Sequence, residues 1–249
     1  MTLVLPPRLT ASARTLRDTA RRRGLRTVQL PDFDVPEGLR DGGGHLHAGP
    51  SFADVVAPAL GIAPLEAPAD WLARLPVAFT RREIRAVPIR EAYGLRRPAF
   101  VKSPNDKSIP ALVYADGSRL PGPDAIDPET VVLVSDVIVF AAEYRLYLLD
   151  GHVVCGSRYA EDGRLRTGPL SAGALAFGAD LLAAAGHTLP SAIVIDAGLT
   201  DAGQWAVVEA NAAWASGCYA SDPDLALDVV LRAAGPVGQL TERDRAFVR

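Results

Sequence analysis

Two strongly apolar segments late in the chain, Ala192 to Asp196 and Trp205 to Asn211, carry acidic and amide side chains where strands of such composition are normally internal. In WAVVEANAAW, Glu209 and Asn211 stand two residues apart, so on a strand both side chains leave the same face. Asp196 closes the preceding segment, and the short loop around residues 201 to 203 makes the two strands antiparallel neighbours. If an even number of residues closes that hairpin, Asp196 shares the face of Glu209 and Asn211. A carboxylate in apolar surroundings needs a cation or a partner. Two carboxylates and an amide oxygen form a hard-oxygen set suited to Mg2+, which takes few protein ligands and completes its shell with phosphate oxygens. Solvated acids on an exposed edge, the plainer alternative, fit the apolar strands less well.

Composition narrows the remaining possibilities. The chain has 249 residues, 49% of them hydrophobic, enough for one large domain or two to three small lobes. Its net charge of −3 argues against a nucleic-acid surface, which needs a concentrated positive field. The run Arg21-Arg22-Arg23 precedes Gly24 and reads as the last turn of a helix, where cations suit the dipole. The start, MTLVLPPRLT, has no basic stretch ahead of a long apolar run, so no secretory signal is expected. No segment approaches the ~20 apolar residues that span a bilayer. Cys155 and Cys218 lack metal-site spacing and read as reduced thiols, so a cytoplasmic location is expected.

The punctuation of the chain predicts an α+β fold. A strand at Leu3 to Leu5, a helix capped by Thr10 or Ser12 and closed by Gly24, and a strand at Thr27 to Leu30 form a small α/β unit. Residues 31 to 70 are rich in Gly and Pro and carry no clear period. Gly42-Gly43-Gly44 lacks the spacing and the Lys-Ser/Thr of a phosphate loop. His45 and His47 share a strand face, but no third ligand follows, so solvated or hydrogen-bonding histidines are expected. Phe79 to Arg90 reads as a short helix. Beyond residue 98 short strands follow one another, with Asp150-Gly151 as a hairpin signal. A helix runs from Ser171 to Gly186, and another opens at Pro223 and ends before Gly235-Pro236.

The pattern IVIDAG, a loop, then WAVVEANAAWASG resembles the magnesium-binding end of ATP-grasp enzymes, the superfamily of D-alanine–D-alanine ligase, glutathione synthetase and biotin carboxylase. Upstream, PAFVKS resembles the family strand whose lysine reaches the ATP phosphates. VSDVIVF resembles the strand-to-hinge segment whose backbone recognises adenine, and EYRLYLLDG the strand that follows. The four segments stand in the family order and cover residues 98 to 235. FVKS…EYR…WAVVEANAAWASG is most similar to a little-characterised branch catalogued as a domain of unknown function.

This resemblance implies an ATP-grasp fold, two α+β lobes gripping ATP, preceded by a short α/β unit. The expected divisions are 1–75 for that unit, 76–135 for the small lobe and 136–249 for the C-terminal lobe. It implies ATP and one or two Mg2+ ions as cofactors, with Asp196, Glu209 and Asn211 as metal ligands. Lys102 would bind phosphate, Ser135, Asp136, Val137 and Ile138 would form the adenine hinge, and Glu143 would meet the ribose. Where the family carries a glycine-rich flap, this chain has SPNDKSIPALVY, so Lys107 is the candidate for those phosphate contacts. Many family members place an arginine two residues before the metal Asp. Val194 stands there instead, and Arg145 or Arg158 could supply that charge. For the earlier family lysine, Arg81, Arg82 or Arg85 could stand in.

The implied activity is ATP-dependent joining of a carboxylate, on a small molecule or peptide, to an amine through an acyl phosphate. A kinase on the same scaffold is the alternative, and a non-catalytic nucleotide sensor a third reading. Arg145 shares a strand face with Glu143, which makes it the catalytic candidate for the oxyanion or, alternatively, a structural ion-pair partner of Glu143. Trp214, Ser216 and Gly217 could shape the acceptor pocket, or Trp214 could simply pack. No nucleic-acid or membrane partner is expected, and association into a homodimer is left open.

Overall fold

The structure, a computed structural model, describes residues 1–105 and 108–249. It opens with β1 (Thr2–Leu5), α1 (Ala11–Arg22) and β2 (Arg26–Gln29), and β3 (His45–Leu46) pairs on the other side of β1. All three strands run parallel in the order β2-β1-β3. The Thr10 hydroxyl accepts the Ala13 N–H at 3.1 Å and caps α1, whose buried Ala13, Leu16 and Ala20 face the sheet. Gly24 turns the chain at φ +78°, a conformation costly for residues with a Cβ.

The stretch without a clear period contains α2 (Pro50–Leu60), with proline at its first position and left-handed Gly61 (φ 64°) ending it, followed by β4 (Ile62–Pro64). Its sequence, PSFADVVAPAL, carries one charge and an internal Pro58, so neither a polar stripe nor clean helical composition announces it. Short helices α3 (Trp71–Arg74) and α4 (Val77–Thr80) then lead into β5 (Ile84–Pro88) and α5 (Ile89–Ala92). The helix expected across 79 to 90 is therefore largely a strand. Arg81 at φ 55° breaks the helical path, and Ile84 and Ala86 alternate with Arg85 and Val87 on two faces of β5.

β6 (Ala99–Lys102), β7 (Leu112–Tyr114) and β8 (Val131–Ser135) complete an antiparallel sheet in the order β5-β8-β6-β7. The larger antiparallel sheet comprises β9 (Phe140–Leu149), β10 (His152–Glu161), β11 (Arg164–Pro169), β12 (Ala192–Thr200) and β13 (Trp205–Asn211) in the order β11-β10-β9-β12-β13. Asp150 (φ 47°) and Gly151 (φ 82°) make the two-residue turn between β9 and β10, the positive-φ pair that matches strand twist. α6 (Ala172–Ala185) is capped by Ser171, and α7 (Pro223–Ala233) by Asp222. β14 (Ala234–Pro236) then pairs antiparallel with β4.

The two faces of the large sheet bury different things. Leu146, Leu148, Ile193, Ile195 and Val207 pack with Phe177 and Leu181 of α6. On the other face, Tyr147 and Val194 join a core with Leu3, Leu16, Val56 and α7 residues Val229 and Val230. The outer side of the small sheet has its own core of Val87, Ile89, Val101, Val132 and Val134. Among the described residues no helix is long and apolar enough to cross a membrane.

Candidate active site

Strand register builds the site. β12 lies between β9 and β13, and Asp196 is directly opposite Arg145 on one side and Glu209 on the other. The next row on that face is Tyr147, Val194 and Asn211. The hairpin therefore closes with the parity that puts Asp196, Glu209 and Asn211 on one face. Between Asp196 and Ala197 the register shifts, leaving Val208 as the extra residue that lets Glu209 and Val207 reach opposite faces.

The side chains are bonded to one another. Arg145 donates Nε to Asp196 Oδ1 at 2.9 Å, Nη2 to Oδ2 at 2.7 Å and Nη1 to the Gly217 carbonyl at 3.2 Å. Asn211 Nδ2 donates to Asp196 Oδ2 and Glu209 Oε1, both at 3.0 Å. Lys102, from the end of β6 on the small sheet, donates to Glu209 Oε2 and so spans the two sheets. Glu143 is not the partner of Arg145; its carboxylate accepts from the Tyr159 hydroxyl at 2.7 Å. Asp196 outcompetes it because it lies directly across the pair and offers both oxygens to the guanidinium fork.

Burial sets the electrostatics. Asp196, 1% exposed, is pushed up by desolvation while the charge and bonds of Arg145 pull it down. For Glu209 burial acts upward too, but Lys102 and Asn211 prevail and its carboxyl stays below the usual range. Burial raises Glu143, opposed by the Tyr159 bond. Arg145 itself is desolvated, yet Asp196 holds it firmly protonated.

Two residues that sequence reasoning missed complete this cluster. The Arg145 guanidinium lies 5.6 Å from the Tyr159 ring centroid and 5.1 Å from that of Tyr219, and the two rings stack at 5.1 Å. Tyr219 adopts φ 45°, a left-handed conformation rare for an aromatic residue. Tyr159 could have been found from its strand position opposite the Glu143 region, whereas nothing in SGCYASD announces the left-handed tyrosine.

Other expected residues fall into place around this centre. Ser135 ends β8, and Asp136, Val137 and Ile138 form the irregular link to β9, with Val137 48% exposed. Lys107 lies outside the described residues. Arg82 is buried and donates to the carbonyls of Thr80, Val207 and Val208, a strut against β13, and burial lowers it to about 10. Arg81 donates to the Trp205 carbonyl. Arg85 borders a separate hollow with Arg96, Arg97 and Asp136. Arg158 pairs with Glu161. His45 and His47 are buried, not solvated: His45 Nδ1 donates to the Leu231 carbonyl at 2.6 Å, and desolvation lowers His47 to about 4.

Beside Lys102, Glu209 and Asn211 opens a cavity of about 590 Å3, bordered further by Asn105, Trp214, Ser216, Glu66 and Arg249. Trp214 is fully buried and donates Nε1 to the Leu65 carbonyl at 2.8 Å, so it packs and presents only part of its surface to the cavity. Among the described residues no three His, Cys, Asp or Glu side chains gather as a metal site. The donor set here is two carboxylates and one amide, with Asn211 Oδ1 left to accept because Nδ2 makes both bonds. Hard oxygens converging beside a cavity fit Mg2+ in the company of phosphate.

Comparison with known proteins follows the same lines. Residues 79–229, more than half of the chain, match a family described as an ATP-grasp domain, family 2 of its clade. The fold is similar to that of the D-cycloserine synthetase DcsG, at TM-score 0.56 and 14% identity over 92% of this chain and 98% of that one. It is similar to the RimK domain protein ATP-grasp from Sphaerobacter thermophilus DSM 20745, at TM-score 0.51 and 17% identity over 93% and 100%. It is also similar to the ATP-grasp ligase PsnB complexed with a phosphomimetic variant of its minimal precursor, Mg and ADP, at TM-score 0.51 and 13% identity over 92% and 97%. No curated protein matches the chain in sequence.

Proposed function

Because the chain belongs to this ATP-grasp domain family and has the ATP-grasp fold, we propose that it is an ATP-dependent carboxylate–amine ligase. The observation that carries this reading is the row Arg145–Asp196–Glu209, tied by Asn211 and reached across the cleft by Lys102. Similar folds serve a synthetase of a small molecule and a ligase bound to a peptide precursor, in keeping with a small-molecule or peptide carboxylate here. The lobe divisions 1–75, 76–135 and 136–249 belong to the same proposal.

In this reading ATP lies between the small and large sheets. Backbone groups of Ser135, Asp136, Val137 and Ile138 recognise adenine, Glu143 meets the ribose, and Lys102 and Lys107 meet the phosphates. Glu209 and Asn211, with Asp196 behind them, would hold one or two Mg2+ ions, which when bound neutralise phosphate charge. A carboxylate oxygen of the substrate attacks the γ-phosphorus and ADP departs, leaving an acyl phosphate. An amine then attacks the acyl carbon, inorganic phosphate leaves and the amine loses a proton. Arg145 acts as a positioning residue, since its three donors are engaged by Asp196 and Gly217 and its faces by two tyrosines. It keeps Asp196 ionised and fixed. The 590 Å3 cavity next to Lys102 is the proposed seat of the acceptor.

The test supplies ATP, Mg2+ and pooled amino acids and peptides, with 18O in the carboxylates. Release of ADP and phosphate that needs both acid and amine, with 18O appearing in the phosphate, is the expected result. ADP release with no free phosphate and a phosphorylated product would replace the ligase by a kinase.

A further inference from the structure

Without nucleotide, the candidate site is electrically closed on itself. Every carboxylate oxygen already has a donor: both of Asp196 take Arg145, Oδ2 also takes Asn211, and Glu209 is shared between Asn211 and Lys102. Two carboxylates face one guanidinium and one ammonium, so the charges cancel.

The two cations are not equivalent. Arg145 is 8% exposed, sandwiched by Tyr159 and Tyr219 and bonded to a backbone carbonyl, so it has no second position to take. Lys102 reaches over from the other sheet on a flexible stem, and both it and Glu209 border the cavity. Glu66, the other acid on that cavity wall, is committed to Arg249 at 2.6 Å and offers the lysine no ready alternative. A divalent cation arriving alone would meet an ammonium in contact with the oxygen it needs. A polyphosphate gives that ammonium a stronger partner and uncovers Glu209 Oε2.

We propose that Lys102 is an internal counter-ion that keeps a lone divalent cation off Glu209 and yields only to nucleotide phosphates, so that metal enters with the nucleotide and not before it. This rests on the reading of Glu209 and Asn211 as metal holders. Asp196 stays neutralised by Arg145 throughout, and the switch lies in the one ion pair that joins β6 to β13.

The experiment titrates nucleotide-free protein with Mn2+ and counts free Mn2+ by electron paramagnetic resonance. Removing a unit charge in contact with the site, Lys102→Met, is expected to tighten Mn2+ binding by at least about tenfold over wild type. Lys102→Arg keeps the charge and is expected to bind as weakly as wild type. Adding Glu209→Gln to Lys102→Met is expected to abolish the gain. Equal affinity of wild type and Lys102→Met overturns the counter-ion, as does Lys102→Arg binding like Lys102→Met. The metal reading survives either result if Glu209→Gln weakens Mn2+ in the ADP-loaded protein. A gain that persists in the double variant puts the ion elsewhere and overturns both.

Discussion

Arg145 donates to both oxygens of Asp196 and lies between two aromatic faces, so its substitution acts on a buried charge. Arg145→Ala leaves that carboxylate with the Asn211 amide as its remaining donor in this cluster and is expected to cost ~3–5 kcal/mol in urea unfolding. Arg145→Lys keeps the charge but not the fork, and is expected to lower turnover while ATP affinity, read by calorimetry, is largely preserved. A normal turnover rate would remove Arg145 from the site. His47 supplies a pH effect independent of chemistry. Its buried imidazole, with Nδ1 unpartnered, is lowered to about 4 by desolvation. As pH falls below ~6.5 the unfolded chain binds this proton first, so stability present at pH 7 is lost progressively toward pH 4, on the order of 3 kcal/mol in total. His47→Gln is expected to flatten that part of the stability–pH curve, measured by urea unfolding at pH 7, 6 and 5. An unchanged slope would show that His47 titrates normally.

At the scale of elements, β12 is where sequence and packing meet most tightly. Gly198 faces Phe140, and a Cβ added there would lie 2.2 Å from the Phe140 ring carbon Cδ1. Gly198→Ala must therefore displace a ring that also carries Arg82 at 5.7 Å, at an expected cost of ~1–3 kcal/mol in denaturant unfolding. Phe140→Leu in the same chain is expected to return part of it, and an additive double variant would mean the two side chains do not meet. The strand itself was legible because an unbroken apolar run ended on an acid, and the parity of one hairpin then aligned Asp196 with Glu209. The partner of Arg145 was not legible, because it depends on β9 lying beside β12 across a long excursion through α6. Local alternation offered only Glu143. β5 was hidden by arginines that suggested a helix face, although they point outward from a strand paired with β8. α2 was hidden by its near absence of polar residues, since burial on several sides erases the amphipathic period.

Across the whole molecule, chain order and core membership do not coincide. Leu3 and Leu16 from the beginning share a core with Val229 and Val230 of α7, and β4 pairs with β14 near the end. The first strands, α7 and the functional face of the large sheet thus gain their burial together and are expected to open together. The small sheet differs. Its outer face has a separate core, and its inner face meets the rest through Leu133, Ile84 and Ala86 and through the Lys102–Glu209 pair. Fewer shared apolar contacts mean a lower free energy of local opening. Native-state hydrogen exchange is therefore expected to show faster exchange in β6 and β8 than in β1, β9 and α7. Lys102→Met removes the charge link between the sheets and is expected to speed exchange in β6 and β8 while leaving β1 and α7 unchanged. Mg2+ with a non-hydrolysable ATP analogue, which joins both sheets through the nucleotide, is expected to slow β6 and β8 in the wild-type protein. If all these strands exchange at one common rate with and without nucleotide, the protein opens as a single unit and the sheets do not move apart to admit ATP.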